Sequence, residues 1–90
     1  MTDQLNGELL TFPCEFMIKV FGHTSPDFLP AVRTIVKKHI SDLTEEAFIQ
    51  RPSKDNHYVA LTFTVHAESK EQLDNLYRDL TASPLVLMAL

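Results

Sequence analysis

Ninety residues, 44% of them hydrophobic and 22% charged, make room for one domain and exclude an enzyme with a cleft between two lobes. Five Pro and two Gly rule out a collagen-like or Gly-rich chain, and the apolar share rules out a disordered one. Eight Lys plus Arg against twelve Asp plus Glu give a net charge of −4, a balance that does not draw a protein broadly onto nucleic acid or an anionic membrane.

The opening residues, Met1 to Glu8, have neither the basic start nor the apolar stretch of a signal peptide. No apolar run approaches the ~20 residues of a membrane-spanning helix, so a cytoplasmic location is expected. The single cysteine, Cys14, excludes an internal disulfide. Residues 1–13 read as an arm with apolar anchors Leu9, Leu10 and Phe12 ahead of Pro13. Residues 14–90 read as one domain. From Cys14 to Phe21 the chain alternates. Cys14, Phe16, Ile18 and Val20 share one face, and Glu15, Met17, Lys19 and Phe21 the other, which predicts a strand ended by Gly22.

Ser25-Pro26-Asp27 marks a helix start. Pro30 favours Asp27 as the cap, because a proline belongs in the first turn, where no intrahelical donor is needed. Phe28, Leu29, Val32, Ile35, Val36 and Ile40 then form one helical stripe. Leu43 to Arg51 is a weaker pattern, read as a short strand in which Ala47, Ile49 and Arg51 alternate with Phe48 and Gln50. Turn residues follow from Pro52 to Asn56, so the next strand returns as a hairpin. That strand is the clearest in the chain, with Val59, Leu61, Phe63 and Val65 opposite Tyr58, Ala60, Thr62, Thr64 and His66. Ser69 and Gln72 fit a capping box ahead of a second helix carrying Leu73, Leu76, Tyr77 and Leu80. Leu85 to Leu90, all apolar, predicts a terminal strand with two oily faces.

The order β-α-β-β-α-β predicts an α+β two-layer ferredoxin-like plait. Its antiparallel-dominated sheet has the order 4-1-3-2, with strands one and three as parallel neighbours and both helices on one face. The other face should then be polar, yet it carries Met17 and Phe21 beside the apolar strand four, whose edge nothing blunts except Pro84. Met17, Phe21, Val86 and Met88 are therefore the candidate interface residues. They would be covered by the arm or by a second copy, pairing through the sheet or its edge strand.

Chemistry is harder to find. His23, His39, His57 and His66 show no i, i+2 or i, i+4 pairing suited to a metal, and no metal or cofactor is expected. Cys14 opens a strand on its inward face, as a small buried hydrophobe does, and no catalytic motif surrounds it. Acylphosphatases share this plait but use an arginine-bearing loop after strand one, and none is present here. RNA-recognition modules share it too, and Phe21 and Tyr58 occupy strands that stack bases there. The lack of their Lys-Gly-Phe-type motifs and the acidic balance argue against nucleic acid. The loop from strand one to helix one remains. Gly22 allows close backbone approach, and His23, Ser25 and Asp27 add polar groups near the helix start. These four are the candidate ligand-binding residues.

Leu9-Leu10-Thr11-Phe12-Pro13, Phe16-Met17-Ile18-Lys19-Val20-Phe21-Gly22, Pro52-Ser53-Lys54-Asp55-Asn56-His57-Tyr58 and the Leu85–Leu90 ending together resemble the small YbeD-like bacterial proteins along the whole chain. The resemblance implies the same plait, similar to ACT-type regulatory domains, which bind small ligands such as amino acids and pair through their sheets. Pro26 and Leu29 stand compatibly with the ACT loop pattern, while Asp27 replaces its characteristic Gly. Members often lie beside lipoate-attachment genes. The expectation is a non-catalytic regulatory or adaptor module that binds a small metabolite or a protein partner. An accessory factor or enzyme of lipoyl or acyl transfer is one alternative, and an RNA-binding plait is another.

Overall fold

The computed structural model describes residues 11–41 and 43–90. The expected arm anchors Leu9 and Leu10 lie outside the described residues, whereas Phe12 is half-buried against the core. The elements in chain order are β1 (Cys14–His23), α1 (Phe28–His39), a single 3-10 turn (Glu45–Ala47), β2 (Ile49–Pro52), β3 (Tyr58–Ala67), α2 (Lys70–Ala82) and β4 (Met88–Ala89). The sheet order is β2-β3-β1-β4, which is the expected 4-1-3-2 met from the opposite edge.

One pairing differs from expectation. β1 and β3 run antiparallel, in register from Cys14 opposite Ala67 to His23 opposite Tyr58. The crossover through α1 joins β1 to β2, and these two are mutually parallel but do not touch. The β2–β3 hairpin turns β3 back between them, so β3 must oppose both.

Alternation decides which side of each strand is buried. Ile18 and Val20 of β1 and Leu61, Phe63 and Val65 of β3 meet Val32 and Val36 of α1 and Leu76 and Leu80 of α2 in one dry layer. β1 does not end at Gly22. It continues through it to His23, because Gly22 keeps its pairing opposite Val59.

In α1, Asp27 is the N-cap position but makes no side-chain cap bond. The start is held instead by Ser25, whose Oγ accepts from Asp27 N–H at 3.1 Å and whose carbonyl accepts from Phe28 N–H at 3.2 Å. Pro30 falls in the first turn, as expected. The capping box of α2 closes only in part. Ser69 Oγ accepts from Gln72 N–H at 3.1 Å, but Gln72 Oε1 takes the N–H of Glu68 rather than that of Ser69, at 2.6 Å. Gln72 Nε2 donates to the carbonyl of His39 at 2.9 Å, satisfying an orphan acceptor at the end of α1.

Two strands are shorter than their sequence patterns. Glu45–Ala47 winds into the 3-10 turn, so β2 begins only at Ile49. At the other end, Ser83 caps a turn: its carbonyl accepts from Val86 N–H at 3.1 Å and its Oγ from Leu85 N–H at 3.3 Å. That turn consumes Leu85 and Val86, and Val86 drops into the core, 9% exposed, rather than onto an outer face. β4 pairs with β1 at Val20 and Phe21, continued by Leu90 on Lys19, and β2 pairs with β3 over Val59–Thr62. The sheet is therefore four strands wide around Val20 and Phe21 of β1, and two strands wide toward Cys14 and Ala67.

Candidate functional site

Paired residues on neighbouring strands point to the same side of a sheet. The register therefore sorts the face away from the helices into rows. Arg51, Ala60, Phe21 and Met88 make one row across all four strands, Ile49, Thr62 and Lys19 a second, and Tyr58 and His23 a third. Leu90 extends the second row: its N–H donates to the Lys19 carbonyl at 2.8 Å, and Lys19 N–H donates back at 3.1 Å. Much of this face is apolar and open to solvent, with Met17 64% and Ile49 65% exposed.

The relief of the face follows from side-chain length. The central strand β3 contributes the short Ala60 and Thr62. Long side chains rise on either side, Ile49 and Arg51 from β2 and Met17, Lys19 and Phe21 from β1. The result is a concavity of about 410 Å³ lined by these seven residues. A second depression of about 190 Å³ shares Phe21, Arg51 and Ala60 with it and runs on to Tyr58 and Pro52. Together they form a trough along β3, broad enough for a ligand-sized occupant.

Two cations stand in this apolar trough, Lys19 on one wall and Arg51 on the other. Among the described residues neither has a carboxylate within ion-pair distance. The carboxylate of Glu15 on the same face lies at the narrow end of the sheet, beside His66 at 3.9 Å.

The β1–α1 loop is built differently. Gly22 is buried and has no positive φ; a Cβ there would run into the Phe28 ring and come within 2.6 Å of the Leu85 carbonyl oxygen. Its lack of a side chain serves packing between β1, α1 and the β4 approach. Ser25 Oγ is occupied by the backbone of Asp27, and Thr24 N–H donates to the His57 carbonyl at 2.9 Å. His23 is the exception, since its ring lies 5.1 Å from that of Tyr58 on the trough's side of the sheet. So the structure brings His23 together with Met17, Phe21 and Met88 on the open face. It leaves Ser25 and Asp27 in the turn and places Gly22 and Val86 inside. Cys14 is half-buried at the start of β1. Among the described residues no group of three or more His, Cys, Asp or Glu could hold a metal ion.

The hairpin between β2 and β3 closes the trough's far end. Ser53 Oγ donates to Asp55 Oδ1 at 2.8 Å and accepts from Tyr58 N–H at 3.1 Å, and His57 N–H donates to Asp55 Oδ1 at 3.2 Å. These bonds hold the Asp55 carboxyl below the ordinary carboxylate value, the Ser53 hydroxyl contributing most. The left-handed position of the turn, φ 62°, is taken by Asn56, a residue that tolerates it.

Residues 7–90 match the family described as "Protein of unknown function (DUF493)". The chain belongs to that family. Relatives within it carry the description UPF0250 protein. The one from Chromobacterium violaceum is 41% identical over 90 residues and covers 100% of both chains. That from Paraburkholderia phytofirmans is 40% identical over 86 residues, 96% of this chain and 97% of its own. The family thus agrees with the YbeD-like resemblance of the sequence. Among solved structures, the C-terminal domain of the MgtC protein from Mycobacterium tuberculosis superposes with a TM-score of 0.63 at 18% identity, over 84% of this chain and 82% of that one. That likeness is one of fold. Among the described residues, no helix of this family member is long and apolar enough to cross a membrane.

Of the lining residues outside the candidate set, Lys19, Ala60 and Thr62 fall on the open face of the alternation and Ile49 and Arg51 share one face of their strand, but the pattern alone singles out none of them. The signal was the dip in side-chain size at Ala60 and Thr62 in the middle of an otherwise bulky alternation.

Proposed function

We propose that the protein is a non-catalytic adaptor or regulatory module that works by receiving a partner on the open face of its sheet. The observation that carries this reading is the trough itself: a concave, largely apolar surface on the sheet face that, among the described residues, lies opposite the two helices and open to solvent. Large exposed apolar patches on small proteins mark interaction sites. Self-association through the same face or through β4 is the other use such a surface has.

Photo-crosslinking from inside the host tests the reading. A benzophenone amino acid at position 17 should give discrete protein adducts, and one at Lys37 on the outer side of α1 should not. Equal yields from both positions would remove the open face as the working surface. A small-metabolite version of the role would engage His23, with Ser25 and Asp27 shaping the turn beyond it and Gly22 buried in β1 before it. Amino acids that raise the Tm of the native chain but not of His23→Ala would move the function from the trough to the loop.

A further inference from the structure

We infer that the trough is built for an acidic, apolar peptide segment of a partner protein, lying along β3 with carboxylates toward Lys19 and Arg51. The inference rests on the reading of the open face as the working surface and adds the chemistry of what it receives. On a chain of net charge −4, the trough is lined by two cations and no acidic side chain, and neither cation has a carboxylate partner among the described residues. Arg33 pairs with Glu45 at 3.5 Å and Lys70 with Asp74 at 2.9 Å, whereas Lys37, Lys38, Lys54 and Arg78 likewise have no carboxylate in ion-pair range among the described residues. What distinguishes Lys19 and Arg51 is their place in an apolar concavity.

The placement of the two cations describes the occupant. Lys19 stands opposite Thr62, and Arg51 stands opposite Ala60 on the other flank of β3. They lie diagonally across the short-side-chain floor, separated by about two strand spacings and one two-residue step, roughly 12 Å. Phe21 and Ile49 occupy the other diagonal. A peptide crossing this surface meets apolar side chains and a cation on each wall, so it is matched by a segment whose carboxylates are spaced several residues apart among apolar ones. Charges of this kind mainly select the partner and its approach, while the apolar floor supplies the contact area.

The same charges argue against other occupants. A second copy docked face to face brings Lys19 and Arg51 toward an equally cationic surface, a like-charge juxtaposition. Single-stranded nucleic acid would meet two cations on a chain that is acidic overall, too few for a backbone with a charge at every nucleotide. The two-lobed trough, open along its length, suits a chain rather than a compact solute.

The test uses two fluorescein-labelled synthetic 12-residue peptides with identical Leu and Phe positions, one with Glu at the remaining positions and one with Lys. Anisotropy titration against the full chain should show the acidic peptide binding at least about tenfold more tightly than the basic one at low salt, with the preference shrinking as salt rises. The double charge reversal Lys19→Glu with Arg51→Glu should invert that preference while circular dichroism and Tm stay those of the native chain. Equal binding of both peptides, or a preference untouched by the reversal, would overturn the charge inference. If Ile49→Asp still abolished that equal binding, the open face would stand as the working surface with its partner chemistry misassigned. Light scattering that finds a dimer dispersed by Met17→Ser would give the face to a second copy and overturn the peptide.

Discussion

Gly22 shows how much one residue's identity depends on its neighbours. From the sequence it stood in a loop as a candidate for close approach to a ligand. In the fold it sits inside β1, and what approaches it closely is the Phe28 ring. Gly22→Ala should therefore destabilise the protein by about 1–3 kcal/mol through overpacking, read from denaturant titration. A neutral outcome would mean that α1 can slide to admit a methyl group. The roles of Ile18, Leu61 and Leu76 were legible beforehand because burial follows period, and period is written in the sequence. The role of Gly22 was not, because a glycine's meaning lies in distances to residues six and more positions away. His23 was legible as a candidate but not for its setting, since its contact with Tyr58 depends on the antiparallel register of β1 and β3.

Among the elements, α1 and α2 are joined at the end of the first and along the second. Gln72 reaches the His39 carbonyl, and His39 Nε2 lies 2.7 Å from Asp79 Oδ2. The bond to His39, helped by the charges of His39, Lys38 and Arg78, holds the Asp79 carboxyl below its ordinary 3.8. A carboxylate depressed in the folded state contributes stability above its unfolded pKa and loses it as the pH falls through the folded one. Asp79→Asn should thus be less stable than the native chain near neutral pH, and the gap should close as the pH drops below 3.8. Urea titrations across that range check it, and a gap that stays constant into acid would contradict it. Neither contact is readable from the chain, since His39 and Asp79 lie forty positions apart on different helices. The strands were readable in type but not in length. Glu45–Ala47 and Ser83–Val86 satisfied their backbone groups in local turns before the ladder could claim them.

For the molecule as a whole, the two sides of one sheet do opposite work. Leu61→Ala on the covered side should cost about 2–5 kcal/mol. Met17→Ser with Ile49→Ser on the bare side should change stability by no more than about 0.5 kcal/mol per residue while reducing binding to the surface. Equal losses on both sides, measured in the same denaturant series, would mean that the bare face is covered within the monomer. The sequence pattern exposed this division as a surplus of apolar residues, but not the relief, which needed β2 placed against β3. The changing width of the sheet has a mechanical consequence. A two-stranded ribbon twists more readily than a four-stranded sheet, so the Cys14–Ala67 end is the compliant half of the molecule and the Phe21–Ala60 end the stiff one. The trough lies on the stiff half. Whatever docks there meets a floor on β3 already held by β2 and β1 on either side, and the cost of ordering the contact falls mainly on the visitor rather than on the host.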